Sequence, residues 1–457
     1  MKETRRTAFT SVNPYSGETL STYQALSAEQ LKLILADSGD IFAAWRKTPL
    51  QSRTSKLART AALLRHKKEP CAALITAETG KPITEARAEI EKCAWVCEYY
   101  PAHAEEFLAN EPAESDARRS YVRHVPIGTV FGVMPWNFPF WQVFRFAAPT
   151  LAAGNTVLLK HAPNVLGCAE LIEEIFAEAG FPEGVFRNLI ITHEQVAEVI
   201  AHPAVAAVTL TGSGKAGSAV AAVAGKHLKK SIMELGGSNA FVVWEDADLD
   251  RAVETAVTAR MMNTGQSCIA AKRFIVPHKI YGAFTEKLVR AVQKLKSGDP
   301  ASSDTEIGVC AREDLAETLE RQMNDSVAQG AKLRCGGERK GTYFAPAVLT
   351  DVVPGMPAFD EETFGPLAAV VRAGDDDEAV ALSQQSKFGL GLTICTRDTD
   401  RGLKAAEHIG DGALFINELV KSDPRLPFGG QRESGYGREL GRDGILAFVN
   451  RQTVYVK

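Results

Sequence analysis

The sequence contains no uninterrupted apolar run near the roughly 18 residues that a membrane-spanning helix needs. Its apolar patches, such as Ala216 to Gly225, are short, Ala-rich and flanked by lysine. It has no excess of basic charge: 52 Lys and Arg against 56 Asp and Glu leave a net charge of −4. No bulk field therefore draws the chain to nucleic acid or an anionic membrane. The first residues, Met1-Lys2-Glu3-Thr4-Arg5-Arg6, lack the apolar segment of a secretory signal, and a cytoplasmic protein is expected. There is no CxxC, HExxH or HxxxH pair, so the eight cysteines and nine histidines provide no metal-ligand pattern. Cys93 and Cys97, four apart on a helical pattern with no second ligand pair, read as core residues. Scattered cysteines in a long chain also exclude a disulfide scaffold. No repeat period, low-complexity tract or Gly/Ser linker is found, which sets aside solenoids and flexible arrays.

What is present is ordinary for a globular protein with large cores: 457 residues, 45% hydrophobic and 24% charged. That length predicts two or three lobes. From Thr156 onward, short β-branched runs alternate with amphipathic helices. Strands are expected at Thr156–Leu159, Val185–Ile191 and Val205–Leu210, and helices at Cys168–Gly180 and Glu194–Ala201. Gly180 stands where a helix C′ residue belongs. A second series follows Gly237, with a strand at Ala240–Trp244, a helix at Asp248–Met262 and a strand at Phe274–Val276. Strand–helix alternation predicts parallel sheets with right-handed crossovers, here two α/β lobes joined near Glu234 to Gly237. The terminal Thr453–Val456 run predicts a strand that pairs internally or on another subunit.

Four places carry candidate chemistry. Cys268 follows the polar break Asn263-Thr264-Gly265-Gln266-Ser267, which presents a thiol on a loop between two structured elements. Glu234, in Met233-Glu234-Leu235-Gly236-Gly237, ends an apolar strand where backbone can approach a ligand. It reads either as a general base whose pKa burial would raise, or as a solvated strand-end carboxylate. Asn137, bracketed by Pro135 and Pro139, is a rigid-turn amide that can donate to an oxyanion or satisfy local backbone. Gly212-Ser213-Gly214-Lys215-Ala216-Gly217 matches GxGxxG between a strand and a helix. That context suits phosphate binding at a helix N-terminus, though a tight strand-to-helix turn would look the same.

With Lys160 and the Glu361-Glu362-Thr363-Phe364-Gly365-Pro366 segment, these motifs closely resemble the aldehyde dehydrogenase superfamily. The resemblance runs from Asn13-Pro14-Tyr15-Ser16-Gly17-Glu18 to Phe428-Gly429-Gly430 and Ser434-Gly435-Tyr436-Gly437-Arg438-Glu439. It implies an α/β fold of two Rossmann-like parallel-sheet lobes with a small β oligomerisation flap. The expected cofactor-binding domain is 1–117 with 133–235, the catalytic domain 236–428, and the flap 118–132 with 429–457. It further implies that Cys268 attacks an aldehyde carbon, that Asn137 and the Cys268 N–H hold the oxyanion, and that Glu234 activates the water that hydrolyses the thioester. Trp136, Lys160, His161, Ala162, Pro163, Gly212, Ser213, Leu235, Glu362 and Phe364 would bind NAD or NADP. The terminal strand would lie on a partner subunit of a homodimer or homotetramer.

Two departures bear on specificity. Relatives that prefer NAD carry Glu three residues after the lysine, where this chain has Pro163, so use of both NAD and NADP is expected. Ala270 stands where some relatives have a second cysteine. Arg145, eight residues after Asn137, reads either as one arm of an interhelical or surface ion pair or, as it resembles the arginine of succinate-semialdehyde dehydrogenases, as the receiver of a distal carboxylate, with Ser422 expected to add a hydroxyl. A second arginine found in some of those enzymes before the Asn-Thr-Gly-Gln run is Met262 here. Succinate semialdehyde is the expected substrate. The alternatives are glutarate semialdehyde, an aliphatic or aromatic aldehyde, or a non-catalytic protein reusing the fold. Retention of Glu234 argues against a CoA-acylating variant.

Overall fold

The computed structural model describes residues 7–457; the expectations resting on Met1 to Arg6 lie outside the described residues. Two mostly parallel sheets organise the chain. The first runs in the order Gly435–Tyr436, Lys230–Glu234, Val205–Thr211, Thr129–Met134, Thr156–His161, Phe186–Asn188. The second runs Lys332–Cys335, Ala347–Val352, Leu367–Ala373, Ala271–Pro277, Asn239–Val243, Leu392–Cys395, Leu414–Ile416. Within each sheet only one edge strand, Gly435–Tyr436 or Lys332–Cys335, pairs antiparallel. Helices cover both faces, so the central strands read as continuous apolar runs: Thr156–His161 and Ala271–Pro277 are buried at every position. The chain leaves the first sheet at Glu234 and enters the second at Asn239.

Connectivity in the first sheet locates its cleft. From Thr129–Met134 the chain steps outward through Thr156–His161 to Phe186–Asn188, then crosses back to Val205–Thr211 on the other side. The sheet therefore changes direction beside Thr129–Met134, and open α/β sheets bind ligands at the carboxyl ends of strands at such a point. Those ends are followed by the Trp136–Asn137 turn and by Gly212-Ser213.

Ahead of this sheet lie four helices, Ala28–Trp45, Leu50–His66, Lys68–Thr79 and Ile83–Phe107. The last packs against the Trp141–Ala153 helix, all thirteen residues of which are buried. Cys93 and Cys97 are fully buried in that core. Gly180, with φ +87°, ends the Leu166–Glu178 helix region as its position predicted.

The terminal strand pairs within the chain. Val449–Val456 pairs residue for residue with Arg119–Pro126 of the same chain, and Glu111–Pro112 completes a small three-stranded sheet. Val449–Val456 stands at the edge of that sheet, so its other side is open. The flap's bounds differ from those expected. Residues 129–132 belong to the first sheet, and Gly435–Tyr436 forms an edge of that sheet, because strand pairing rather than sequence order decides membership.

Candidate active site

The nucleophile loop is built from a strained turn. After the Leu249–Met261 helix, Asn263, Thr264 and Gly265 are successively left-handed, with φ of 56°, 53° and 73°. Such backbone costs about 1–2 kcal/mol per non-glycine residue, and it persists only where the surroundings over-determine it. Here they do. Asn263 Nδ2 donates to Asn137 O at 2.8 Å and Gln266 O at 3.0 Å, and its backbone N–H donates to Glu85 at 2.6 Å. Thr264 Oγ1 accepts the Gly308 N–H, and Gln266 bonds to Val309 O and Ala311 N. At Gly265 a Cβ would lie 2.4 Å from the Gly365 backbone, so only glycine lets this loop reach the Glu362–Gly365 segment.

The Asn137 turn is held as firmly. Asn137 Nδ2 donates to Gln266 O at 3.1 Å, which spends one of its two N–H groups. The N–H groups of Phe140 and Trp141 both donate to Glu89 Oε1 at 2.9 Å. Glu89 in turn pairs with Lys81, both side chains being almost wholly buried, and Lys81 Nζ sits 3.9 Å from the Phe138 ring centroid. His161 Nε2 bonds to Pro139 O at 2.8 Å, and its Nδ1 accepts the Ala162 N–H at 2.9 Å. Burial holds the His161 pKa down to about 4, so the ring is neutral, with the proton on Nε2. The ring thus braces the Asn137 turn.

Between the turn and the loop lies a cavity of about 370 Å³. Trp136, Asn137, Gly212, Ser213, Leu235, Cys268, Glu362 and Phe364 line it, so eight expected residues from five separate segments meet there. Gln142, Thr211, Arg312 and Leu315 also line it and carry no sequence signal of their own. Ser213 caps the Gly214–Lys226 helix, accepting from Ala216 N, and Gly212 N–H donates to Glu234 O at 2.9 Å. Glu362 Oε1 accepts the Gly237 N–H at 2.9 Å, and a Cβ at Gly236 would lie 2.4 Å from Glu362 Oε2. Phe364 meets Trp136 edge-on at 5.7 Å.

Lys160, at the carboxyl end of its strand, is 7% exposed. Burial lowers its pKa to about 8, and it makes no hydrogen bond or ion pair among the described residues. A cation left unmatched at the carboxyl end of a strand in this sheet is suited to a ribose or phosphate. Ala162 is half-buried and Pro163 exposed on the turn that follows. The residues present thus fit a nicotinamide dinucleotide.

Cys268 is partly exposed. Burial of its surroundings pushes its thiol up to about 11, partly opposed by the charges of Lys272 and Arg145. Lys272 Nζ donates to the carbonyls of Ser267 and Cys268 at 2.9 and 2.8 Å and stands 3.6 Å from Glu362. Glu234 is 2% exposed, and neither carboxylate oxygen has a hydrogen-bond partner. Burial, and then the nearby Glu439 charge, hold its pKa well above the usual carboxylate range. Its carboxyl group lies outside the cavity lining, on the Gly429 side.

Arg145 lies outside the cavity lining. Its guanidinium is 2% exposed, pairs with Glu439, donates to Thr211 Oγ1 at 3.1 Å and lies 4.7 Å from the Phe428 ring centroid. Its charge is therefore already matched inside the protein. Ser422 is buried and takes hydrogen bonds from Lys92 and Trp141. Glu89, Lys92, Lys272 and Glu439 were not assigned roles from the sequence, because each acts through a partner distant in the chain. Only Glu439 stands within a quoted motif.

A cleft that joins a thiol on a strained loop to a strand–turn–helix segment, between two parallel α/β sheets, is the arrangement of a two-lobed α/β enzyme. Residues 1–454 match the model of the aldehyde dehydrogenase family. The chain is 47% identical over 452 residues to a probable NADP(+) succinate-semialdehyde dehydrogenase of Synechocystis sp., covering 98% of this chain and 100% of that one. It is 45% identical over 448 residues to the NAD(P)+ succinate semialdehyde dehydrogenase Sad of Escherichia coli, covering 97% of each. Among solved structures, succinic semialdehyde dehydrogenase from Streptococcus pyogenes in complex with NADP+ superimposes with a TM-score of 0.96 at 35% identity, covering 98% of this chain and 99% of that one. Gox0499 does so with a TM-score of 0.97 at 39% identity, covering 98% and 100%. The chain belongs to the aldehyde dehydrogenase family and is an NAD(P)-dependent aldehyde dehydrogenase.

Proposed function

We propose that the protein oxidises succinate semialdehyde to succinate, with NADP+ or NAD+ as hydride acceptor. The names of its relatives support this reading. The absence of a carboxylate at Pro163, beside unmatched Lys160, supports tolerance of a 2′-phosphate. The observation that carries the catalytic part is the stapling of Asn137 to the Cys268 loop around one cavity.

Cys268, once deprotonated, attacks the aldehyde carbon and forms the C–S bond. The free N–H of Asn137 and the Cys268 backbone N–H stabilise the resulting oxyanion, each such donor contributing about 3 kcal/mol to the transition state. NAD(P)+, when bound, supplies the hydride acceptor. Lys160, Gly212 and Ser213 hold its adenosine half, Glu362 the nicotinamide ribose, and Trp136, Leu235 and Phe364 border the ring. Glu234, raised in pKa and unpaired, takes a proton from the water that breaks the C–S bond and releases the acid. Leaving a buried carboxyl without partners costs about 1–3 kcal/mol, which points to a working group rather than a structural one.

Among the described residues no helix is long and apolar enough to cross a membrane, and the cytoplasm is the proposed location. A homodimer or homotetramer joined through the flap is the proposed assembly. The catalytic reading is tested by Cys268→Ala. Turnover of succinate semialdehyde is expected to vanish while NADP+ binding, followed by fluorescence quenching, stays within about twofold of the parent. Retained turnover would overturn it. Assaying glutarate semialdehyde, butanal and benzaldehyde with each cofactor tests the substrate.

A further inference from the structure

Lys92, on the Ile83–Phe107 helix, is partly buried, and its Nζ donates to Ser422 Oγ at 2.8 Å. It also lies 4.4 Å from the Trp141 ring centroid, while Trp141 Nε1 donates to the same Ser422 oxygen at 3.0 Å. A serine hydroxyl has two lone pairs and one proton. Two groups that can only donate fill both lone pairs, so the Ser422 proton is directed away from them. The cluster therefore offers the Ser422 O–H and the remaining Lys92 N–H groups, and contains no acceptor for them.

Nor does any carboxylate answer the charge. Among the described residues none lies within ion-pair distance of Lys92: Glu89 is committed to Lys81 and two backbone N–H groups, and Asp423 to Arg425. Burial and the field of Arg145 lower the Lys92 pKa to about 8, against weaker opposing fields from Cys93, Glu89 and Asp423. Arg145, one helical turn after Trp141, donates to Thr211 Oγ1, and Thr211 lines the cavity that holds Cys268. Trp141 and Phe428 belong to the large apolar core of the first lobe, against which Phe138, Cys268 and Ile269 also pack. Trp141 begins its helix four residues after Asn137, so the donors sit beside the element that carries the oxyanion turn.

We propose that Lys92, with the Ser422 hydroxyl and Trp141 as its support, receives the distal carboxylate of a short ω-oxo acid and sets the preference for an anionic aldehyde. Arg145, matched by Glu439, adds positive potential from behind. The assignment rests on the substrate reading above and supplies the cation that Met262 does not. It makes Lys92, which lies 330 residues from Ser422, a specificity-determining residue for the known reaction.

The test uses the full-length enzyme at saturating NADP+, with succinate semialdehyde and butanal as paired substrates and succinate as an inhibitor of butanal oxidation. In Lys92→Met, the KM for succinate semialdehyde is expected to rise about tenfold or more, while that for butanal changes less than about threefold. Lys92→Arg is expected to restore the KM for succinate semialdehyde, and Ser422→Ala to raise it by a smaller factor. Succinate is expected to compete with butanal in the parent and at least tenfold more weakly in Lys92→Met, as loss of a charge-assisted contact requires. Equal effects on both aldehydes, or unchanged inhibition by succinate in Lys92→Met, would overturn the assignment. A parent enzyme that oxidises butanal as efficiently as succinate semialdehyde would overturn the substrate reading instead, and the succinate inhibition would still decide Lys92.

Discussion

At Cys268 two requirements oppose each other. The thiol must be screened from water for its hemithioacetal and thioester to survive, yet the same burial pushes it up to about 11, with Lys272 and Arg145 pulling it partly back. In the free enzyme at neutral pH the group is therefore overwhelmingly a thiol. Its alkylation by iodoacetamide, read on the Cys268 peptide by mass spectrometry, should climb about tenfold per pH unit from 7 to 9 without a plateau. A plateau below pH 8 would mean a thiolate already stabilised before substrate arrives. Cys335, the other partly exposed cysteine, serves as an internal reference on the same digest.

Among the elements, the Ile83–Phe107 helix controls the site without lining the cavity. From successive turns it sends Glu85 to the Asn263 N–H, Glu89 to the start of the Trp141–Ala153 helix, and Lys92 to Ser422. One rigid helix thus sets the relative position of nucleophile loop, oxyanion turn and anion cluster. Glu89→Ala would strand the Lys81 ammonium in the core, and breaking a buried pair in this way costs about 3–5 kcal/mol. A clearly lower melting temperature is expected, together with a fall in kcat from the loosened Asn137 turn. The double substitution Lys81→Met, Glu89→Leu should recover most of the stability and little of the kcat. Recovery of both by the double variant would show that Glu89 has no positioning role.

For the whole molecule, the two sheets meet at residues 235–238, so the cofactor-side residues Leu235 and Gly236 and the thiol of the second lobe share one cavity. The flap stands apart, and most of Asn450–Val456 is exposed. Val449–Val456 is an edge strand of its small sheet, and an open edge of that length invites pairing with another copy. Sedimentation of the full chain should show a dimer or tetramer, and a chain ending at Phe448 should sediment as a monomer. A full-length chain that is monomeric at micromolar concentration would exclude the proposed assembly.

Local rules carried much of this structure. Alternation of apolar runs with amphipathic segments specified parallel sheets, and Gly180 marked a helix end, because periodicity and turn chemistry act over a few residues. The order of the Asn137, Gly212, Glu234, Cys268 and Glu362 motifs pointed to the family, since each motif is short and contiguous. Long-range partnership was beyond such rules. Only folding places Glu439 against Arg145, the Pro139 carbonyl at the His161 ring N–H, and Ser422 and Trp141 against Lys92. A side chain's charge is written in the chain, but whether that charge is already matched depends on residues brought near only by tertiary packing. That matching separates a structural ion pair from a group left available to bind substrate.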